Sequence, residues 1–140
     1  MKTKSLRYVV STILVLALFF ALAVPSMAVS VKEIVQIYSN QSWNNRSAVT
    51  RSGNYSTVLV RNHSVYPTSG TDTYENIQCR VTNTSGTTIS VNAPHTLNET
   101  SATSTTITLG EGYLGYTSIV FGFRGNSSKP GEAVVSYNSR

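Results

Sequence analysis

The stretch that decides the fold is Ile107-Thr-Leu-Gly-Glu-Gly-Tyr-Leu-Gly-Tyr-Thr-Ser-Ile-Val-Phe-Gly-Phe-Arg124. In its second half Ile119, Phe121 and Phe123 alternate with other residues, and a period of two is typical of a β-strand with one buried face. These side chains are the heaviest apolar set in residues 29–140, so we expect other strands to pack on them. The three glycines of residues 110–115 predict a tight or bulged corner, so we expect the two strands of this stretch to form a pair in the core.

Working outward, residues 77–82 alternate in the same way, with Ile77, Cys79 and Val81 on one face. We expect this strand to be the match of residues 119–123 in the core. Further short strands are predicted at residues 31–38, 47–51, 55–67, 87–91, 103–109 and 132–138. Turn residues recur roughly every eight to twelve positions, which predicts an all-β fold: a single antiparallel β-sandwich, Ig-like or jelly-roll in type, of about seven or eight short strands.

Residues 31–38 carry two conflicting patterns. Val31, Ile34, Val35 and Tyr38 have the spacing of one helical face. The segment is nevertheless rich in β-branched and aromatic residues, which favour strands. We predict a strand there and keep a helix as the alternative.

Residues 1–28 have the organisation of a secretory signal peptide. Lys2, Lys4 and Arg7 precede an apolar run over residues 9–23, and small residues follow near Ala28. The apolar run is shorter than the roughly 20 residues that a membrane-spanning helix needs. We therefore expect cleavage after Ala28, a single secreted domain of residues 29–140, and no membrane span in the mature chain.

Charge and cysteine content narrow the possible partners. The chain has eleven Lys and Arg, of which three lie in the leader, leaving eight against six Asp and Glu. These bases are scattered, so a nucleic-acid partner is not expected.

Cys79 is the only cysteine. A secreted domain without an intramolecular disulfide favours a bacterial exporter over a eukaryotic one.

Side chains suited to catalysis or metal binding are few. The acids show no clustering of the kind that a calcium loop needs, and neither His63 nor His95 has a second ligand at zinc-site spacing. Cys79 should point inward as a small apolar residue, which disfavours a Cys79–His95 nucleophile pair. We predict no enzyme, no cofactor and no metal. Two glutamates brought together by folding remain the one catalytic alternative.

Asn-x-Ser/Thr sequons are more frequent than composition predicts. Seven occur where chance gives about three. They begin at Asn40, Asn45, Asn54, Asn62, Asn83, Asn98 and Asn126. A eukaryotic or archaeal host could glycosylate them, whereas the missing disulfides favour a bacterial host that modifies none; the sequence leaves both open.

Aromatic side chains beside predicted loops are the remaining indication of function. Trp43, among Asn and Ser residues, is the best candidate for exposure, and Glu111, Tyr113 and Tyr116 lie at the glycine corner. Exposed rings can stack on sugars or anchor a protein partner. We predict a secreted, non-catalytic binding module for a glycan, a cell-wall polymer or a protein, with these four residues as ligand-binding candidates.

The alternative is a secreted antagonist: an antibacterial or pore-forming protein, or an inhibitor of another exoprotein. Its sequence basis is the Ser- and Thr-rich segment of residues 98–109, which alternates weakly. Such segments form membrane hairpins in some pore-forming toxins. Residues 98–109 are too few to cross a membrane as a strand together with its return strand, and only half of the side chains on one face of the segment are apolar.

Overall fold

Two antiparallel sheets packed face to face form the protein, as the alternation predicts. The computed structural model describes residues 30–51 and 53–139, without the side chain of Leu114. The predicted signal peptide and its cleavage site lie outside the described residues. Within those two ranges there is no α-helix, and no helix is long and apolar enough to cross a membrane.

Over residues 30–51 and 53–139 the two sheets have nine strands, two of which are short pieces of one divided edge. In chain order the strands are β1 (Ser30–Ile37), β2 (Asn44–Asn45), β3 (Val49–Thr50), β4 (Thr57–Pro67), β5 (Asn76–Asn83), β6 (His95–Asn98), β7 (Thr105–Thr108), β8 (Ser118–Gly125) and β9 (Gly131–Asn138). One sheet has the order β1-β9-β4-β7. The other has the order β2-β8-β5-β6, with β3 also paired to β8.

The inner face of β8 is the centre of the core. Ile119, Phe121 and Phe123 are each 0% exposed, and Val81 of β5 is the register partner of Phe121. The ring of Tyr137, from the opposite sheet, lies 4.4 Å from that of Phe121. Burying each such side chain contributes about 1.5–3 kcal/mol, so β8 carries much of the stabilisation. The predicted match between residues 77–82 and this strand is confirmed.

The expected pairing of the two strands in residues 107–124 is wrong. Strand β7 pairs with β4, where Ile107 faces Val58, whereas β8 belongs to the other sheet. The glycine-rich connection therefore crosses the sandwich and includes a short 3-10 helix, Tyr113–Gly115, preceded by Gly112 with φ of 81°. Alternation identifies a buried strand face but does not say which strand lies beside it.

The strand prediction for residues 31–38 is confirmed. β1 pairs with β9 along its whole length, from Ser30 opposite Asn138 to Ile37 opposite Gly131. Val35 and Ile37 are buried, and Ile34 faces outward at 57% exposure. The β-branched side chains outweighed the helical spacing because β9 offers a complete partner.

The prediction around residues 87–98 is wrong in two places. Residues 87–91 were predicted as a strand with Ile89 and Val91 inward. They form only isolated bridges, at Thr88 and Ser90, and Val91 is 40% exposed. Strand β6 was not predicted, although it pairs with β5. Its single apolar anchor, Leu97, is too weak a pattern to indicate a strand.

The divided edge decides where the tryptophan lies. β2 and β3 pair with opposite halves of β8, and between them the Arg46 amide donates to the Phe121 carbonyl at 2.8 Å. Because Asn44 is opposite Phe123, Trp43 stands beside Arg124 at the end of β8. The glycine corner precedes the other end of the same strand.

Candidate functional site

Trp43 is covered by two arginines rather than open to solvent. The structure leaves its side chain only partly exposed, against the expectation of an exposed ring. The guanidinium carbons of Arg80 and Arg124 lie 4.4 and 4.5 Å from the ring centroid. Both distances are well within the range of cation–π attraction. The indole ring thus holds two cations, and a sugar that stacked on a covered face would have to displace a guanidinium.

Strand register brings these side chains together. Arg80 on β5 and Arg124 on β8 both point away from the core, since their neighbours Cys79 and Phe123 are fully buried. Arg124 is opposite Gln78, two residues from Arg80, so the arginines are diagonal neighbours on the outer face. The Arg124 Nε donates to Gln78 Oε1 at 2.7 Å, which fixes one guanidinium.

Gly122 leaves room for this arrangement. It is the register partner of both Arg80 and Asn45. A Cβ at this position would lie 2.6 Å from Asn45 Oδ1 and 3.4 Å from the Cγ and Nε of Arg80. The absent side chain therefore lets the flanking side chains close over β8 beside Trp43.

No carboxylate compensates these two cations within the described chain, where the one ion pair joins Arg46 and Glu33. Burial, and after it the charge of Arg124, lowers the pKa of Arg80. The Arg80 Nε is buried and has no hydrogen-bond partner. We call Trp43, Arg80 and Arg124 the arginine–tryptophan cluster.

A second polar group lies at the open edge between β1 and β3. A cleft of about 440 Å³ is lined there by Val31, Glu33, residues 47–50 and Tyr137. The Glu33 carboxylate accepts from Arg46 Nε at 2.8 Å, from Arg46 Nη2 at 2.5 Å and from the Tyr137 hydroxyl at 2.5 Å. We call Glu33, Arg46 and Tyr137 the glutamate cluster.

Protonation in the glutamate cluster is fixed by these contacts. The hydrogen bond from Arg46 is the main reason that the pKa of Glu33 is lowered. Burial, and then the bond to Glu33, raises the pKa of Tyr137. At neutral pH an ionised carboxylate thus accepts from a protonated phenol and a guanidinium. All three groups are engaged with one another, which suits a structural link between the sheets better than a free acid or base.

Folding does bring two other glutamates together. The Glu99 amide donates to the Glu75 carbonyl at 3.0 Å, which makes the two residues cross-strand neighbours beyond the ends of β5 and β6. The Glu99 carboxylate accepts from the Val65 amide at 3.0 Å and so joins the two sheets. The sequence could not indicate this pair, because β6 itself was missed.

The predicted residues at the glycine corner form a different surface from Trp43. Arg51 donates to the carbonyls of Tyr113 and Tyr116, and its guanidinium lies 5.4 Å from the Tyr113 ring centroid. Both tyrosines are partly buried against the core, while Glu111 is exposed. The corner and Trp43 are at opposite ends of β8, roughly 25 Å apart at about 3.3 Å per residue. The four candidates are therefore not one site.

The remaining reactive side chains are one buried cysteine and two partly exposed histidines. Cys79 is 0% exposed, and burial raises the pKa of its thiol. His95 is its register partner, and burial lowers the histidine's pKa. On the other sheet His63 Nε2 lies 2.9 Å from the hydroxyl of Ser136. Over residues 30–51 and 53–139 no three His, Cys, Asp or Glu side chains could hold a metal ion together.

One sequon is incompatible with a glycan in the folded protein. Asn62 is 1% exposed at an irregularity in β4, and its Nδ2 donates to the Leu97 carbonyl of the facing sheet at 3.2 Å. A glycan needs that same nitrogen in solvent. The other six sequon asparagines are exposed or partly exposed.

Sequence reasoning identified Trp43 but missed Arg80 and Arg124. The sequence did contain a signal for them. Each arginine follows an inward-facing residue in an alternating strand, and the two strands were expected to lie together, so two cations on one outer face could have been inferred. Comparison with known proteins adds no relative, since no family model, no curated protein and no solved structure matches the chain. Function must therefore be argued from these side chains.

Proposed function

We propose that this protein is a non-catalytic extracellular binding module. The observation that carries the proposal is the arginine–tryptophan cluster, in which Arg80 and Arg124 are held on Trp43 with no carboxylate partner in the described chain. Holding two like charges together is unfavourable unless an anion offsets them. A ligand from outside the protein can supply that anion.

The contacts of three of the five glutamates support a non-catalytic role. Glu33 is engaged by Arg46 and Tyr137, and Glu99 by the amide of Val65. Glu132 accepts from Gln36 at 2.5 Å and from a tyrosine hydroxyl at 3.1 Å. Carboxylates with such partners lack the freedom that proton transfer or nucleophilic attack requires.

An extracellular location rests on the sequence alone. Residues 1–28 have the order of basic, apolar and small residues that directs secretion, and a single cysteine leaves the fold independent of disulfides. The predicted product is released, and its partner is a glycan, a cell-wall polymer or a protein at a surface.

A glycan array and a pull-down with extracellular material test the proposal. We expect wild type to retain a ligand, Trp43→Ala to lose it, and Tyr113→Ala to retain it, because Tyr113 lies at the far end of β8. Thermal melts of both variants separate lost binding from lost folding. Absence of any ligand for folded wild type, or equal loss in both variants, would overturn the proposal.

A secreted inhibitor of another exoprotein, from the antagonist class, is the second candidate. The observation that favours it is Ile34, 57% exposed on the outer face of the four-stranded sheet, with Tyr66 38% exposed on the same face. Apolar side chains of this kind can anchor a protein interface. Capture of a protein by wild type but not by Ile34→Ser would favour the inhibitor, and dye release from liposomes would favour a pore-forming antagonist.

A further inference from the structure

The outer surface of β2, β5 and β8 carries two cations close together that have no carboxylate partner in the described residues. Arg80 and Arg124 are diagonal neighbours that share one aromatic ring. At about 6–8 Å between such positions, two guanidinium groups reinforce one another's field. An anion placed over them would be attracted by both at once.

These cations are held in place before any ligand arrives. Arg124 is fixed by Gln78 at 2.7 Å, and both arginines stack on Trp43. Arg80 retains a buried Nε without a partner, close to the side chain of Asn45 over Gly122. Because the guanidinium groups are already ordered, less side-chain entropy is lost when an oxyanion binds.

The rest of the same face is polar but almost uncharged. Around the cluster stand amides and hydroxyls that are exposed or partly exposed, of Asn45, Gln78, Thr96 and Asn98. The large apolar side chains that are exposed in the described chain are Ile34, Tyr38, Tyr55, Tyr66 and Val91, none of which belongs to β2, β5, β6 or β8. Amides and hydroxyls suit sugar hydroxyl groups, and no large exposed apolar side chain in these four strands adds to Trp43 as an anchor for a protein.

The amount of charge also limits the ligand. Outside the leader the sequence has eight bases and six acids, and only two cations converge here. A nucleic acid or another densely charged polymer is held by many phosphate contacts, often about six to ten. Two arginines match a ligand with single, spaced negative charges among neutral hydroxyls.

We propose that the arginine–tryptophan cluster binds the carboxylates of an acidic polysaccharide. Arg80 and Arg124 donate to a uronate carboxylate, which accepts charge-assisted, forked hydrogen bonds from guanidinium groups. The neighbouring amides and hydroxyls bind the sugar hydroxyls along the chain. This inference rests on the proposed binding function and names its ligand class.

Calorimetric titration of the purified protein with polygalacturonate tests the inference. We expect binding that weakens at least about tenfold with Arg80→Gln or Arg124→Gln, because each loses a charge-assisted contact. Arg61→Gln, on the outer face of the other sheet, is the matched control and should change affinity less than about twofold. Melting temperatures establish that each variant is folded.

Two further polymers identify the chemistry that is recognised. Fully methyl-esterified polygalacturonate has the same backbone without charge, and poly(glycerol phosphate) has one phosphate per repeat. We expect both to bind at least about tenfold more weakly than polygalacturonate. Equal binding of the ester, tighter binding of the phosphate polymer, or no effect of the two arginine substitutions would each overturn the carboxylate assignment.

Failure of this inference can be told apart from failure of the proposed function. If a neutral glycan or a protein is bound and Trp43→Ala abolishes that binding while the arginine substitutions do not, the module stands and the acidic ligand is wrong. If folded wild type binds none of the three polymers and retains nothing on the array, both are wrong.

Discussion

Trp43 and Arg46 stand three residues apart on one short edge segment, yet they belong to clusters with opposite electrostatics. The Nη2 of Arg46 lies 2.5 Å from Oε2 of Glu33 on β1, and this ion pair links the two sheets at one edge of the sandwich. Trp43 turns to the outer face, where Arg80 and Arg124 are left without a carboxylate in the described chain. The comparison distinguishes two roles of arginine. A guanidinium that is paired with a carboxylate of the same protein holds strands together, whereas one without such a partner is available to a ligand.

Removing the carboxylate from the glutamate cluster should give the largest loss of stability. Glu33→Gln leaves Arg46 without its counter-ion and turns an amide toward a guanidinium. We expect the free energy of unfolding to fall by about 2 kcal/mol, since hydrogen bonds to charged groups contribute about 1.5–3 kcal/mol and partial exposure reduces this. Urea unfolding at pH 7 measures the change.

Glu111→Gln is the matched control, because Glu111 is exposed at the glycine corner. It should change the free energy of unfolding by less than about 0.5 kcal/mol. A Glu33→Gln protein as stable as wild type would mean that the glutamate cluster does not hold the edge, and the contrast between the two clusters would fail.

Acid should erase the difference between wild type and Glu33→Gln. The pKa of Glu33 is lowered in the folded protein, chiefly by the hydrogen bond from Arg46, from an ordinary value of 4.5. A lowered folded pKa gives stability that is present above the unfolded pKa and is lost as the pH falls through the folded pKa. Melting temperatures at pH 7, 5, 4 and 3 should therefore show a constant gap above about pH 5 that closes below it. A gap that persists unchanged at pH 3 would contradict this.

Removing only the phenol should have a smaller effect. Tyr137→Phe keeps the ring 4.4 Å from Phe121 but loses the hydroxyl that donates to Glu33. We expect a loss of about 1 kcal/mol, the usual net contribution of one hydrogen bond. Tyr55→Phe, at a tyrosine that is 58% exposed, is the control and should be neutral in the same urea titration. A loss larger than that of Glu33→Gln would show that the ring, not the hydrogen bond, had been disturbed.

The smallest change in stability is expected when the arginine–tryptophan cluster is given a carboxylate, as the glutamate cluster has. Gln78→Glu places a carboxylate on Arg124, whose Nε already donates to that side chain at 2.7 Å. An ion pair at this partly exposed position should alter the free energy of unfolding by less than about 1 kcal/mol. Affinity for polygalacturonate should nevertheless fall at least about tenfold, because the counter-ion is then internal.

Thr106→Glu, on the outer face of the other sheet, adds the same charge away from the cluster and controls for net charge. It should leave the affinity within about twofold of wild type. Unchanged affinity in Gln78→Glu would show that uncompensated charge is not what the outer face offers to a ligand.

The elements that the sequence predicted correctly are those with a local signature. Alternation in residues 77–82 and 119–123 indicated two buried strands, and the β-branched residues of β1 indicated a strand against helical spacing. Which strands pair is decided between residues far apart in the chain, so the separation of β7 and β8 into different sheets was not readable. Strand β6, with Leu97 alone as an anchor, gave no pattern at all.

The candidate site shows the same division between local and distant information. Trp43 stood out by its residue type, but Arg80 and Arg124 become neighbours of Trp43 only through the pairing of β2 and β5 with β8. Trp43 is only partly exposed, where the sequence predicted an exposed ring, for the same reason. The sequence around Trp43 is polar and does not show which side chains cover the ring, because Arg80 and Arg124 come from β5 and β8, which are distant in the chain.

Asn62 has a consequence for how the protein can be produced. Oligosaccharides are attached to a sequon while the chain is still extended, and this asparagine must later pass into the interior and donate to Leu97. In a secretory pathway that glycosylates, a sugar at this one position would stop β4 from closing on the facing sheet. Whether the protein folds therefore depends on the expression host. A host that does not glycosylate, or a Ser64→Ala variant that removes the Asn62 sequon, allows Asn62 to become buried.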